Sequence, residues 1–172
     1  KDLVKSIRRK VRVNPPEHSK LIRAVDTDWQ VVGRQAADYY LDRGFRNFAL
    51  AAYRTEEWKL SLRVFKETVE RAGGRCQAIR GMHLLGKEPD AVRDAVRTQL
   101  RDLHTPLGIF CANDRLAVRL YRWCAEEGIA VPEQAAILGF GNDTICCLSN
   151  PVNLSSVDPH PEQSGFEGAR LL

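Results

Sequence analysis

The hydrophobic pattern of this chain alternates between short apolar runs and longer stretches with helical spacing. The clearest example is an apolar run at 108–112, a helical pattern at about 115–127 and a second apolar run at 135–140. Such a pattern predicts one strand–helix–strand unit. Its two strands stop at polar residues, and the carboxyl edge of an open α/β sheet is where ligands bind. The pattern therefore predicts the position of a binding site before its chemistry.

The same alternation extends over most of the chain. Apolar runs predict strands at 21–25, 45–53, 75–81 and 154–157, and helical spacing predicts helices at 29–43, 58–72, 89–104 and 161–172. The segment 143–151 shows neither period, so we expect it to be irregular. Strands that alternate with helices predict an α/β fold in which a parallel sheet carries helices on both faces.

The composition narrows the class of protein. A chain of 172 residues with 44% hydrophobic and 28% charged residues is typical of one globular domain, or of one lobe of a larger protein. No apolar run approaches 18 residues and no signal-peptide pattern opens the chain, so we expect a cytoplasmic protein without a membrane partner. Five cysteines without a CxxC pair favour a reducing compartment over a disulfide framework. The first residue is Lys1 rather than Met, which suggests an upstream segment.

The positive charge is concentrated at one end. Six Lys and Arg residues lie within the first twelve positions, and the net charge of the chain is +4. Such an arm can contact nucleic-acid phosphates, or it can be a solvated linker, and the second interpretation is favoured because no interleaved aromatic residues and no helix-turn-helix pattern accompany it. The chain by itself is not predicted to read DNA.

Several polar side chains and one aromatic side chain are predicted to meet at the carboxyl edge of the sheet. The candidate ligand-binding residues are Trp58, Asn113, Asp114, Arg115, Asn142 and Asp143. Amide, carboxylate and guanidinium groups with one aromatic face suit a neutral, hydroxyl-rich ligand such as a sugar. The alternatives are structural: Asn113 or Asp114 as a helix cap, and Trp58 as a packing residue.

Signatures of catalysis and of cofactors are weak. The sequence contains no GxSxG, GxxxxGK[ST], GxGxxG or HExxH motif, and Gly139-Phe140-Gly141 lacks the third glycine of a phosphate-binding loop. The four histidines are not at metal-ligand spacing. Asp114 and Asp143 could pair for acid–base work, but no third element supports that role. We therefore predict no enzyme, no catalytic residue, no cofactor and no metal.

The second half of the chain resembles a known family. The segments GIFCANDRLAVRLYRWCAEEGIAVPEQAAILGFGND and LSSVDPHPEQSGFEGARLL resemble the effector-binding domain of LacI/GalR-type transcription regulators, and most of all the xylose-operon regulator group. This resemblance implies a type I periplasmic-binding-protein-like fold of two flavodoxin-like lobes with the effector between them. It implies that residues 20–154 form the carboxyl-side lobe. Residues 155–172 would then be a crossover strand and helix toward the other lobe, and residues 1–19 a basic linker or a remnant of that lobe.

The resemblance also assigns residues. Asn113 and Asp114 match the family's ligand-facing Asn-Asp, and Asn142 follows the position of its second ligand-facing Asp, which is Gly141 here. The family's Arg in the second helix corresponds to Ser61. Two groups that hold the sugar in the family are thus replaced, which opens the alternative of an altered or vestigial pocket.

Two functional hypotheses follow. The first is an effector-sensing domain of a cytoplasmic transcription regulator that binds a small polar metabolite such as a sugar, acts as a homodimer and contacts DNA only through a domain outside this chain. The second is a dimerisation scaffold with a vestigial pocket, whose interface would be the helix 115–127 because its apolar surface exceeds one face. The predicted interface residues are Leu116, Leu120, Tyr121 and Trp123. An exported sugar-binding protein is disfavoured by the cysteines and by the missing signal sequence.

Overall fold

A five-stranded parallel sheet forms the centre of the computed structural model, which describes residues 11–13, 23–52, 59–80, 90–148 and 153–171. Its strands are β3 (Asn47–Ala51), β4 (Arg75–Ile79), β5 (Leu107–Cys111), β6 (Ala135–Phe140) and β7 (Ser155–Val157). They are hydrogen-bonded in the order β4-β3-β5-β6-β7, and every neighbouring pair is parallel. This is the strand order of flavodoxin-like doubly wound sheets. The predicted α/β class is confirmed.

Helices cover both faces of this sheet. They are α1 (Trp29–Leu41), α2 (Lys59–Arg71), α3 (Asp90–Asp102), α4 (Asp114–Glu126) and the short α5 (Thr144–Leu148). Side chains of α1 and α2 pack into one hydrophobic cluster, and side chains of α3 and α4 pack into another. Within β5, Ile109 belongs to the α3–α4 cluster and the next residue, Phe110, to the α1–α2 cluster, because successive strand side chains point to opposite faces.

The position of each strand in the sheet explains its composition. All five residues of β5 are buried, since the strand has a neighbour on each side and helices on both faces. In β4, which lies at the edge of the sheet among the described residues, only Ile79 is fully buried. The continuous apolar run of β5 and the mixed sequence of β4 therefore follow from their places in the order.

The carboxyl end of α4 is fixed by ion pairs. Glu127, whose side chain is 7% exposed, binds Arg97 and lies 2.7 Å from the Arg101 guanidinium, both on α3. With the side chains of Leu116 and Leu120 fully buried beneath it, α4 is held along its whole length. The amino end of α4, which lies at the predicted site, is thus presented by a fixed element.

Two elements of the structure lie where the sequence predicted none: a strand at Val11–Val13 and a helix at Thr144–Leu148. Residues 144–148 form α5, although the sequence indicated an irregular stretch at 143–151. The helix begins because Asp143 Oδ1 accepts hydrogen bonds from the amides of Ile145 at 3.0 Å and Cys146 at 3.2 Å. A helix of five residues is too short to display a helical hydrophobic period, so only the Asp-Thr pair could have indicated it.

Three further elements form a second compact unit. They are β1 (Val11–Val13), β2 (Arg23–Val25), which pairs with β1 in parallel, and α6 (Pro161–Arg170). The first compact unit comprises the elements from Trp29 to Asp158. The domain boundaries expected after residues 19 and 154 stay a prediction. In the described part of the chain, no helix has both the length and the apolar character needed to cross a membrane.

Candidate ligand-binding site

The carboxyl ends of β5 and β6 lie side by side and border a depression of about 310 Å³. The residues that line it are Asn113, Asp114, Arg115, Phe140, Gly141 and Asp143. Four of the six predicted site residues are therefore brought together. Of the other two, Asn142 does not line the depression, and Trp58 lies outside the described residues. The sequence-based selection omitted Phe140 and Gly141, although the end of the apolar run of β6 marked their position.

Asn113, on one side of the depression, is the N-cap residue of α4. It has extended backbone angles (φ −157°, ψ 168°), and its side-chain Oδ1 accepts a hydrogen bond from the Leu116 amide at 2.9 Å. The capping alternative is thus confirmed for its oxygen. The amide nitrogen of the side chain makes no hydrogen bond to the described residues and can donate to a ligand.

Asp114, the first residue of α4, is buried rather than presented to solvent. Only 2% of the surface of Asp114 is exposed. Oδ1 accepts a hydrogen bond from the Ser156 hydroxyl at 2.6 Å, and Oδ2 accepts one from the Asp143 amide at 2.8 Å. Hydrogen bonds to an ionised carboxylate are among the stronger ones in proteins. Asp114 therefore joins α4 to β7 and to the turn that follows β6.

The turn Gly141–Asp143 donates three consecutive amides to protein acceptors. The Gly141 amide donates to the Val157 carbonyl at 2.9 Å, and the Asn142 amide donates to the Ser156 hydroxyl at 3.0 Å. The Asp143 amide, as noted, donates to the Asp114 carboxylate. Gly141 (φ 124°) and Asn142 (φ 52°) both have left-handed backbone angles. Because all three amides have acceptors, they are not available to cradle an anionic ligand.

The side chains of Asn142 and Asp143 point to different partners. Asn142 Nδ2 donates to Asp158 at 2.9 Å, which accounts for its absence from the depression. Asp143 uses Oδ1 to cap α5, and the residue is half-buried. The Asp143 carboxylate also forms a hydrogen bond with the Cys146 thiol. Because its two oxygens together have about four lone-pair sites, it can still accept a hydrogen bond from a ligand.

The remaining walls are one cation and one aromatic ring. Arg115 is exposed. Phe140 packs against Trp29 with ring centroids 5.4 Å apart and is 8% exposed. A guanidinium, carboxylates and a side-chain amide beside an aromatic ring can bind hydroxyl groups in both directions, as donor and as acceptor.

The thiols near the site have pKa values above the ordinary value. Burial raises the pKa of the Cys147 thiol to about 11, and burial together with Asp143 raises the pKa of the Cys146 thiol. All five cysteines are free. A neutral thiol is a poor nucleophile and a poor metal ligand. No group of three His, Cys, Asp or Glu side chains within the described ranges could hold a metal ion.

Ser61 does not reach the depression. It is fully buried where α1 packs against α2, and a Cβ atom added to Gly33 would overlap the Ser61 carbonyl oxygen. This close approach of the two helices encloses position 61. The structure thus accommodates a small side chain at the position where the LacI/GalR resemblance places an arginine.

The sheet order and the site at its carboxyl edge lead to the family. Residues 37–172 match the model of the periplasmic binding protein-like domain. The chain belongs to this family. Among its relatives, the xylose operon regulatory protein of Haemophilus influenzae is 23% identical over 152 residues, which cover 86% of this chain and 39% of that protein. The resemblance to LacI/GalR-type regulators, including the xylose-operon group, is confirmed.

Solved structures with the same fold cover nearly all of this periplasmic-binding-protein-like domain. A xylose-binding transcription activator has a TM-score of 0.80 and 20% identity, covering 99% of this chain and 47% of its own. A LacI family regulator from Enterococcus faecium, with bound ribose, has a TM-score of 0.77 and 22% identity, covering 98% and 62%. The chain spans less than two thirds of the length of each of these proteins.

Proposed function

We propose that this domain is the effector-sensing part of a cytoplasmic transcription regulator and that the depression at the ends of β5 and β6 contributes to the binding of a small neutral sugar. The observation that carries the proposal is the mixed lining of that depression by donors, acceptors and an aromatic ring. Relatives of the same fold are a xylose-binding activator and a regulator with bound ribose, which supports a pentose as the first probe. We propose no catalytic role.

The charge and hydrogen bonding of the site favour a neutral ligand over a phosphorylated one. Among the described residues that line the depression, two carboxylates, Asp114 and Asp143, lie beside one guanidinium, that of Arg115. The three amides of the turn Gly141–Asp143 already donate to protein groups. A phosphate would find few free donors and would meet like charge.

We assign distinct roles to the candidate residues. Asn113, Arg115 and Asp143 keep hydrogen-bonding groups that can reach a ligand, and Trp58 is proposed as an aromatic platform. Direct ligand contacts of Asp114 and Asn142 stay predictions. Their hydrogen bonds to Ser156, Asp143 and Asp158 favour a role in shaping the site.

The proposed coupling to DNA is thermodynamic. An effector that binds one conformation of the regulator more tightly shifts the population toward it, and a DNA-binding domain outside this chain responds to that shift. The size of the response is limited by the ratio of the two affinities.

Calorimetry of the full-length protein with D-xylose, D-ribose and a hexose panel tests the proposal. Wild type is expected to bind at least one sugar, and Arg115→Ala is expected to weaken that binding about tenfold because a charged hydrogen-bond donor is lost. Arg122→Ala is the matched control, since Arg122 is exposed on the same helix outside the depression. If the wild type binds none of these sugars at millimolar concentration, the proposal that this protein senses a sugar is wrong.

We also propose a homodimer, but not through the predicted helix. The core of the domain itself buries Leu116, Leu120 and Trp123. The prediction that these three side chains form a dimer interface is therefore wrong. The apolar surplus of α4 packs against α3 and the sheet instead. On α5, Ile145 is 79% exposed and Leu148, one turn later, is 64% exposed. These two side chains are the candidate contact with a second copy.

Sedimentation of the full-length protein tests the dimer. Leu148→Glu is expected to dissociate it, whereas the control Val31→Glu, a charge placed on a partly exposed residue of α1, leaves it intact. A dimer together with no sugar binding would instead favour the second candidate function, a dimerisation scaffold with a vestigial pocket.

A further inference from the structure

We propose that Asp114 is the positioning residue of this site: its buried carboxylate fixes the turn Gly141–Asp143 against β7, and Gly139 is required to admit that carboxylate. The effect on sugar binding rests on the proposed function. The effect on the turn does not.

The first observation is that one carboxylate links three separate parts of the chain. Asp114 begins α4, its Oδ1 accepts from Ser156 on β7, and its Oδ2 accepts from the amide of Asp143. These partners are 42 and 29 residues away in sequence. A carboxylate that is 2% exposed needs such donors, because burying an unpaired charge is strongly unfavourable.

The second observation is that two glycines, Gly139 and Gly141, leave open the space that the Asp114 carboxylate occupies. A Cβ atom added to Gly139 would overlap Asp114 Oδ1, and one added to Gly141 would lie 3.3 Å from Oδ2. Position 139 in β6 and position 141 just after that strand thus face the same carboxylate, whereas the Phe140 ring points toward Trp29. The Gly-Phe-Gly pattern, which resembles the start of a phosphate-binding loop, is therefore explained by the space that Asp114 occupies.

The third observation is the direction of the hydrogen bonds. A serine hydroxyl has a single hydrogen, and that of Ser156 is given to Asp114. Its lone pairs then face the Asn142 amide, which donates to it at 3.0 Å. Asp114 thus sets the orientation of Ser156 and, through it, a second amide of the turn. Asp143 in turn caps α5, so the start of that helix depends on the same carboxylate.

It follows that Asp114 determines where two walls of the depression, Gly141 and the Asp143 carboxylate, are placed. Arg115 and Asn113 on the opposite side are placed by α4 itself. The Asp114 side chain therefore fixes the position of one side of the depression relative to the other.

Amide hydrogen exchange in the full-length protein tests the positioning role. In Asp114→Ala, the amides of Asn142 and Asp143 are expected to exchange about tenfold faster or more, while amides of β3 and β5 keep their wild-type rates. Asp114→Asn has one acceptor oxygen instead of two, so it is expected to give an intermediate effect. The control Asp38→Asn, on an exposed residue of α1, should leave amide exchange unchanged both in the turn and in the strands. Unchanged exchange at 142 and 143, or a uniform increase in all strands, would overturn the proposal.

A double-mutant cycle tests the requirement for Gly139. Gly139→Ala is expected to lower the melting temperature strongly in wild type and much less in the Asp114→Ala background, since the overlapping oxygen is then gone. Equal effects in the two backgrounds would show that Gly139 does not serve Asp114. The cycle remains informative when a single variant is unstable, because it compares the change in melting temperature that Gly139→Ala causes in the two backgrounds.

Sugar titration separates this inference from the proposed function. If wild type binds D-xylose or D-ribose, Asp114→Asn should weaken binding several-fold while Asp38→Asn leaves it unchanged, and equal affinity of Asp114→Asn and wild type would contradict the positioning role. If wild type binds no sugar, the proposed function fails, and the exchange and melting measurements still decide the role of Asp114.

Discussion

The two central strands end in the same dipeptide, Asn-Asp, yet the two residues exchange roles. After β5, Asn113 caps α4 and Asp114 is the buried first residue of that helix. After β6, Asp143 caps α5, while Asn142 lies before the cap with a left-handed backbone and donates to Asp158. The difference arises because α4 begins at the Asp of its pair and α5 begins one residue after its own. The role of a residue at a strand end is therefore set by the register of the following helix.

The largest difference is expected between the two aspartates. Asp114→Ala leaves a partly buried hydroxyl and a partly buried amide without their acceptor, and it should reduce the free energy of unfolding by about 3 kcal/mol. Asp143→Ala removes a cap from a five-residue helix and should cost about 1 kcal/mol. Urea denaturation of both variants measures the two values. Similar losses would mean that the two turns are equivalent after all.

A smaller difference is expected between the two asparagines. Asn113→Ala removes the hydrogen bond to the Leu116 amide and should cost about 1 kcal/mol. Asn142→Gly loses an exposed hydrogen bond to Asp158 but relieves the left-handed backbone, so its stability should change by less than about 0.5 kcal/mol. Thermal unfolding of the two variants side by side checks the order. A larger loss for Asn142→Gly would reverse the assignment of the caps.

The smallest effect concerns the thiols beside the turns. With its pKa raised from 9.0 to about 11 by burial, the Cys147 thiol should react with a disulfide reagent at pH 8 about tenfold more slowly than an ordinary thiol, because the lower thiolate fraction is only partly offset by the greater nucleophilicity of a more basic thiolate. Cys111 is fully buried at the end of β5, and this burial raises the pKa of its thiol well above the ordinary value, so it should not react in the native protein. Raising the pH toward 11 should accelerate the reaction of Cys147, because its thiolate becomes populated there. Counting reactive thiols by mass spectrometry tests this order, and rapid labelling of Cys111 would contradict it.

Periodicity was sufficient to predict the sheet and its long helices. The continuous apolar run of β5 reflects burial on both faces, and the helical spacing of α4 predicted a helix displaced by only one residue from the observed Asp114–Glu126. The five-residue α5 was missed because it is shorter than two helical turns. The α4 interface was wrong because hydrophobic residues beyond one stripe can be buried by a neighbouring helix, here α3, as well as by a partner.

The site was predictable in position but not in its internal connections. The rule that ligands bind at the carboxyl edge places Asn113, Arg115 and Asp143 together, and the structure brings them around one depression. The burial of Asp114 depends on Ser156, 42 residues later, and on two glycines, Gly139 in β6 and Gly141 in the turn that follows it. No local pattern records such a contact, because the sequence distance is set by an intervening helix and strand.

The edge position of β4 has a consequence for the behaviour of the protein at high concentration. A strand with an unpaired side offers free amides and carbonyls to any other extended chain, which is a route to aggregation. Among the described residues β4 has only β3 as a neighbour, and its exposed residues include Arg75 and Gln77. Five residues of mixed sequence, with a charge at one end and Arg80 just beyond the other, make a poor template for such pairing. The composition that weakens this strand as part of the core also discourages other chains from extending the sheet.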